Sequence, residues 1–371
     1  MKENIQAFGQ QLKYLFLLFF SLILSCNNES EKQSDGQLTD DYSSRIDSLI
    51  ATTHPRIFNG VVLITKGAET KYVREYGYSD FENKTPISIN DQFRIMSNSK
   101  QITAALLLMQ VENRKIDLQH SIKEYLPDFH SLWADSVTIH QLLNMSSGIV
   151  DFDKPLLFEP GKGYRYSNPG YGLLGRIIEK VTGKTFIDNA HSLFEELGMN
   201  DTYCYELNQP RDGLINGYWI KDGELTPVDF DSIGITEEDW KDFIPAGGII
   251  SNTKDLTIWD NKLHKGEILD PDYLKLMVSV SNRGPHAAFD NDTIGYAYGL
   301  RIHDTHQTFH LGHGGRGFGF ASIKFYIPEK DVDVIIWENI YSRDADWLAG
   351  DIVYQFENEI RKIVLNSSLV K

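Results

Sequence analysis

Ser97-Asn98-Ser99-Lys100 opens the apolar run Ile102-Thr103-Ala104-Ala105-Leu106-Leu107-Leu108-Met109, and the other features of the chain take their places around it. Residues at i and i+3 are neighbours on a helix face, so the Lys100 amine can reach the Ser97 hydroxyl. A helix start also presents free backbone N–H groups to a developing anion. A hydroxyl beside an amine at such a place has the layout of an activated serine nucleophile. The same spacing occurs at Ser251-Asn252-Thr253-Lys254 and at Ser368-Leu369-Val370-Lys371. The last is expected to fray as the chain terminus, and the second reads as a cap before a short helix over 255–263. Ser97 alone heads a long apolar helix, with a plain helix N-cap as the competing reading.

The chain has 371 residues, 41% hydrophobic and 24% charged, which suits one catalytic unit with an inserted lobe. A formal net charge of −16, with no stripe of Lys and Arg, argues against a nucleic-acid partner and against charge-driven docking on anionic lipid. Residues 1–25 read as a signal peptide: Lys2 and Lys13 flank a polar start, and Tyr14 to Leu24 is a short apolar core. Ile23-Leu24-Ser25-Cys26 resembles the lipobox of bacterial lipoprotein signals. Such a core is too short to suit a spanning helix. Cys26 is then the lipidated first residue and 26–41 a flexible tether. The protein is expected in the cell envelope, lipid-anchored to a bacterial membrane and facing the periplasm or the surface. An uncleaved anchor is the alternative, with the same delivery outside the cytoplasm. Cys204 is left without a partner for an intrachain disulfide and is expected as a small core residue.

The folded part, 42–365, is mixed. A short helix over 45–52 precedes two apolar or alternating stretches, 58–66 and 71–78, around Lys66-Gly67-Ala68-Glu69, which reads as a hairpin. Helical periodicity fills 97–113, 138–145, 171–181 and 187–197, with Gly148, Gly183 and Gly198 at helix ends. Strands return over 294–303, 308–311, 319–326 and 332–337, and a closing helix is expected over 345–364. Strands first and last imply an α+β fold whose antiparallel sheet is formed by both chain ends, segments 57–96 and 246–365, flanked by helices. An all-helical lobe, about 98–245, is inserted between them.

Two further clusters bear on chemistry. Tyr166-Ser167-Asn168 lies ahead of Pro169-Gly170 and a helix near Tyr171, a turn able to push a phenol and an amide into a cleft. His313-Gly314-Gly315 lies in the glycine-rich run 312–319, where a backbone can approach a bound ligand closely. His310-Leu311-Gly312 fits the same His-x-Gly pattern.

Ser97-x-x-Lys100, Tyr166-x-Asn168 and His313-x-Gly315, in that order, resemble the signature of serine beta-lactamase-like and penicillin-binding-protein-like hydrolases, in particular the class C beta-lactamase, DD-peptidase and esterase branch. Supporting phrases are Thr138 to Gly148, Pro160-Gly161 and Ala246-Gly247-Gly248-Ile249-Ile250-Ser251, so the similarity spans about 58–339. The resemblance implies a beta-lactamase-like (DD-peptidase-like) fold and a serine hydrolase without a cofactor, acting through an acyl-enzyme on an amide or ester: a D-amino-acid peptide, a beta-lactam or a small ester. By the same resemblance Ser97 is acylated, while Lys100 and Tyr166 share the proton traffic, Tyr166 activating water for deacylation. Free Lys and Tyr titrate at about 10.4 and 10, so mutual electrostatic depression is expected of the pair. Asn168 holds Lys100 and the substrate amide, and His313 steers the leaving group or a substrate carboxylate. The backbone N–H groups of Ser97 and Arg316 form the oxyanion hole.

The chain departs from that pattern at two points. His313 stands where beta-lactamases of this group usually carry Lys, which speaks against efficient penicillin hydrolysis. Arg316 is bulkier than the small residue expected after the glycine, and its guanidinium could clamp a substrate carboxylate. His303, His306, His310 and His313 invite a metal reading, but their spacing suits a hairpin and no Cys or carboxylate pattern completes a tetrahedral site. Neither a Gly-x-Ser-x-Gly elbow nor a dinucleotide or phosphate loop occurs. The alternative function is a penicillin or peptidoglycan sensor that acylates at Ser97 and does not turn over.

Overall fold

The computed structural model describes residues 40–371 apart from 68, 208, 210–211, 222–223, 287–288, 290–292, 305–306 and 343–351. The expected signal peptide, Cys26, nearly all of the tether and His306 lie outside the described residues. Asp41 to Lys371 form one compact unit.

Its frame is an antiparallel sheet built from both chain ends, with strands β1 (Gly60–Lys66), β2 (Glu69–Tyr76), β3 (Asn282–Pro285), β4 (Thr293–Tyr296), β5 (Arg301–His303), β6 (His310–Gly317), β7 (Phe320–Ile327) and β8 (Val332–Glu338). Their order is β3-β4-β5-β6-β7-β8-β1-β2, so the first strand of the chain lies beside the last of this sheet. Successive strand residues face opposite ways. Val61 and Leu63 therefore enter the core shared with the inserted lobe, and Val62 and Ile64 the core on the other face. Val62 pairs with Ile336, which pairs with Ile323, a fully buried aliphatic rung across three strands. The second core is closed by helices α1 (Ser43–Ile50) and α7 (Gln355–Leu365), whose Ile46, Ile50, Phe356 and Ile360 pack there. Burial on both faces explains why β1 reads as an unbroken apolar run.

The inserted lobe holds helices α2 (Ser99–Glu112), α3 (Asn168–Thr182), α4 (Phe186–Leu197) and α5 (Glu237–Gly247); α6 (Thr253–His264) follows it. Helix α2 is buried on every side from Ser99 to Leu108, the mark of a central helix. The lobe is not wholly helical. Short strands Tyr203–Cys204 and Tyr218–Lys221 pair with Ile249–Ser251 and Ile340–Ser342, outside it. Helix α3 starts earlier than expected, because Pro169 occupies the first turn, where its missing N–H costs nothing, and Ser167 caps the end by accepting from Gly170 N at 3.1 Å. The expected ends at Gly183 and Gly198 hold, both with left-handed φ. Cys204 is buried and forms no disulfide among the described residues.

The chain terminus is docked and not frayed: Ser368 N and Oγ donate to Asp41, and Leu369 and Val370 are buried. The cap expected of the second Ser-Lys pattern falls on Asn252, which accepts from Asp255 N. Among the described residues no helix is long and apolar enough to cross a membrane.

Candidate active site

Ser97 lies in a 3-10 turn, Met96–Asn98, that runs into α2. Met96 has φ +48°, a left-handed conformation that costs a non-glycine residue about 1–3 kcal/mol. The bend falls between Ile95, whose N–H donates to Ile249 O, and the start of α2. Asn98, not Ser97, occupies the N-cap position of α2, and it makes no side-chain capping bond. The plain N-cap reading of Ser97 therefore drops out, and its hydroxyl lies 3.2 Å from Lys100 Nζ.

Lys100 is fully buried, with Nζ 2.8 Å from Asn168 Oδ1 and 2.6 Å from Ala246 O. Helix ends leave carbonyls unpaired, and at the end of α5 two are met by α2: Thr103 Oγ1 donates to Pro245 O, and Lys100 to Ala246 O. Burial pushes the Lys100 amine well below its usual value, and the Arg301 guanidinium adds to this. A neutral amine has two N–H donors and one lone pair. Asn168 Oδ1 and Ala246 O can only accept, so they take both N–H groups. Nζ donates to Ser97 Oγ as well, and on losing a proton its lone pair would face the Ser97 hydroxyl, the arrangement of a general base beside its nucleophile.

Tyr166 lies on the other side of this pair, with Lys100 Nζ 4.7 Å from its ring centroid. Burial raises its phenol far above the ordinary value, opposed by Arg301 and by the Ser97 hydroxyl. The expected mutual depression is thus corrected: the amine moves down and the phenol up, because burial disfavours the charged form of each. The phenol keeps its proton at neutral pH. Its oxygen is buried without a well-formed hydrogen bond among the described residues, although Ser97 is close enough to act on its ionisation.

Strand β6 supplies the third side. Gly315 is glycine of necessity, since a Cβ there would stand 2.5 Å from Ile95 O and 3.0 Å from Met96 Cβ. His313 Nδ1 donates to Gly314 O at 2.6 Å, which leaves Nε2 to accept from the Tyr296 hydroxyl at 3.3 Å. Burial, followed by Arg301, holds His313 well below the usual histidine value, so it is neutral. Its ring lies 6.0 Å from that of Tyr166, which distinguishes it from His310, stacked 4.6 Å from His303 and packed on Phe325. His313 is fully buried and is not among the residues that line the cleft; His286 and Arg316 line it instead. A direct contact of His313 with a ligand, as expected from the sequence, is not what this geometry offers.

The cleft above Ser97 has a volume of about 980 Å³. Tyr166, Asn168 and Gly314 line it near the nucleophile, and Trp219, Phe243, Phe318 and Tyr341 form aromatic walls. Among the described residues no group of three or more His, Cys, Asp or Glu is placed to hold a metal. Sequence reasoning missed Arg301, His286 and Met96. A charge inside the apolar stretch 294–303 was the available signal for Arg301; φ at Met96 leaves none.

Over residues 46–353 the sequence matches the family described as Beta-lactamase. The chain belongs to the beta-lactamase family. It is 27% identical over 307 residues to a penicillin-binding protein of Bacillus subtilis (strain 168), covering 74% of this chain and 66% of that relative, just under two thirds. Protein flp of Staphylococcus aureus (strain NCTC 8325 / PS 47) is 24% identical over 363 residues, covering 90% of this chain and 70% of flp. Among solved structures, the D-amino acid amidase from Ochrobactrum anthropi SV3 complexed with D-phenylalanine superposes with a TM-score of 0.71 at 27% identity, covering 87% of this chain and 98% of the amidase. Family membership and this likeness make the protein a serine hydrolase in kind.

Proposed function

We propose that the protein cleaves an amide or ester through an acyl-enzyme on Ser97. The observation that carries this reading is the contact set of the buried Lys100 amine, which reaches Ser97 Oγ, Asn168 Oδ1 and Ala246 O. Ser97 Oγ attacks the acyl carbon as its proton passes to Lys100. The carbonyl oxygen becomes an oxyanion held by the backbone N–H groups of Ser97 and Arg316, each donor lowering the barrier by about 3–4 kcal/mol. The tetrahedral species collapses, the bond to the leaving group breaks, and the proton on Lys100 reaches that group through the Tyr166 hydroxyl. Water, relieved of a proton by the same amine and phenol, then frees the acid and restores Ser97.

The acyl donor in this reading is a small D-amino-acid amide or peptide, or a simple ester. The aromatic walls suit an apolar acyl side chain, and the amidase likeness supports the choice. Asn168 would hold the substrate amide as well as Lys100. Arg316, half-buried on the wall with its guanidinium 5.9 Å from the Tyr354 ring, would receive a substrate carboxylate. Beta-lactams are expected to acylate Ser97 and to leave slowly. The test is hydrolysis of D-phenylalanine amide, D-alanyl peptides and p-nitrophenyl acetate by the parent and by Ser97→Ala. Turnover of at least one class, lost in the variant with its fold intact, supports the proposal; equal rates in both proteins would end it.

Delivery to the envelope by lipidation at Cys26 belongs to the same proposal and rests on the lipobox-like Ile23-Leu24-Ser25-Cys26. Metabolic labelling with an alkynyl fatty acid should tag the parent and not Cys26→Ser. A label retained in the variant would contradict it.

A further inference from the structure

Arg301, on β5, is 1% exposed. Its Nη1 donates to the Tyr164 hydroxyl at 3.3 Å, while Nε and Nη2 are buried without a hydrogen-bond partner among the described residues. No carboxylate among the described residues forms an ion pair with it, which is costly for a buried charge and calls for a reason. The guanidinium carbon lies 5.4 Å from the centroid of the Tyr166 ring and 5.3 Å from that of Tyr296. Lys100 Nζ lies 4.7 Å from the same Tyr166 ring. Two basic groups thus converge on one phenol, with Ser97 bonded to one of them.

A guanidinium keeps its proton throughout the working range of an enzyme, whereas a buried amine readily gives its proton up. Two cations against one ring in a dry site repel each other, and the group able to discharge is Lys100. The third motif does not provide this fixed charge, because His313 is neutral, with Nδ1 committed to Gly314 O.

We propose that Arg301 supplies the permanent positive charge that His313 does not, acting on Lys100 and Tyr166 from behind the Tyr166 ring and without touching substrate. It is a positioning residue, since it does not line the cleft. The ionisable groups facing this centre are Lys100, Tyr164, Tyr166, Tyr171, Tyr296, His286 and His313, with Lys324 and Arg316 acting from farther off. Among the described residues no carboxylate is one of them. With Arg301 present, the buried amine gives up its proton more readily and can then accept that of Ser97. The same charge favours any negative charge that the Tyr166 oxygen takes on while it relays a proton.

The inference rests on the proposed acyl-enzyme chemistry, and Ser97→Ala measured in parallel separates the two: activity surviving in Ser97→Ala defeats that chemistry, not the role of Arg301. The experiment is the pH profile of kcat/KM for the uncharged ester p-nitrophenyl acetate in Arg301→Lys, Arg301→Gln and Arg301→Met, each checked for its fold by circular dichroism. Loss of the charge lets Lys100 hold its proton to higher pH. The acid limb in the Gln and Met variants should therefore move alkaline by about one pH unit or more, a roughly tenfold loss on the acid side that recovers at high pH. Arg301→Lys, whose buried amine can itself give up its proton, should place the limb between that of the parent and that of the neutral variants. An unmoved limb in the neutral variants, or a uniform loss at every pH, would overturn the proposal. If neither neutral variant folds, Tyr164→Phe, which removes the hydroxyl that the Arg301 guanidinium bonds, carries the test by a smaller move of the limb in the same direction; no move there overturns it.

Discussion

Replacing Lys100 by methionine should separate the chemical role of this side chain from its structural cost. Methionine keeps the unbranched shape and removes the amine, so Ser97 loses its proton acceptor. General-base contributions run to about 10²–10⁴-fold, and kcat/KM should fall by roughly 10³-fold or more. Stability should respond differently. In the folded protein burial lowers the pKa of the amine well below the unfolded value of 10.5. Between those two values the unfolded chain binds a proton that the folded chain does not, so Lys100 destabilises the parent most at low pH, and the penalty fades as pH rises towards 10.5. The slope is about 1.4 kcal/mol per pH unit. Lys100→Met lacks this dependence. It also strands Ala246 O and Asn168 Oδ1, at about 1–3 kcal/mol each, but that loss does not change with pH. Urea unfolding of both proteins at several pH values between the lowered pKa and 10.5 should show the parent gaining on the variant by about 1.4 kcal/mol per unit. Parallel stability curves, or a variant that retains a tenth of the parental activity, would refute the neutral-base argument.

Tyr166→Phe should lose activity steeply in steady-state assays with p-nitrophenyl acetate, whereas Tyr164→Phe, which only loosens Arg301, should lose far less; equal losses would mean that the phenol relay is misplaced. Gly315→Ala puts a Cβ 2.5 Å from Ile95 O and should push β6 off the Ser97 turn, costing about 1–3 kcal/mol in thermal unfolding and at least tenfold in acylation rate; parental values for both would contradict the packing argument. Lys324→Met removes the cation bonded to Asp260 in the buried cluster with Asp333, and should destabilise by about 3–5 kcal/mol in urea with little change in kcat at a permissive temperature. Rapid-mixing kinetics with p-nitrophenyl acetate should show a burst followed by steady turnover; a single equivalent of product and then no more would favour the sensor reading.

What could be read from the sequence was local or periodic. The Ser97–Lys100 contact follows from helix spacing, and the two-faced burial of β1 from its apolar run. The docking of β1 beside β8 follows from strands at both chain ends. The start of α3 was misjudged because Pro169 reads equally as a turn residue and as a first-turn helix residue. His313 was expected on the cleft wall, but its depth is set by Tyr166 and His286, which arrive from distant segments. Arg301 was missed for the same reason: its closeness to Lys100 comes from a strand meeting the lobe, a contact with no spacing to mark it. The opposed shifts of Lys100 and Tyr166 follow from burial, which residue types alone do not reveal.

The most direct measurement is the mass of the intact protein quenched during reaction with a penicillin, followed by peptide mapping of the adduct. One acyl group on the peptide containing Ser97, absent from Ser97→Ala and slow to form in Lys100→Met, is the expected result. An adduct on any other residue, or one formed equally fast without Lys100, would contradict the account.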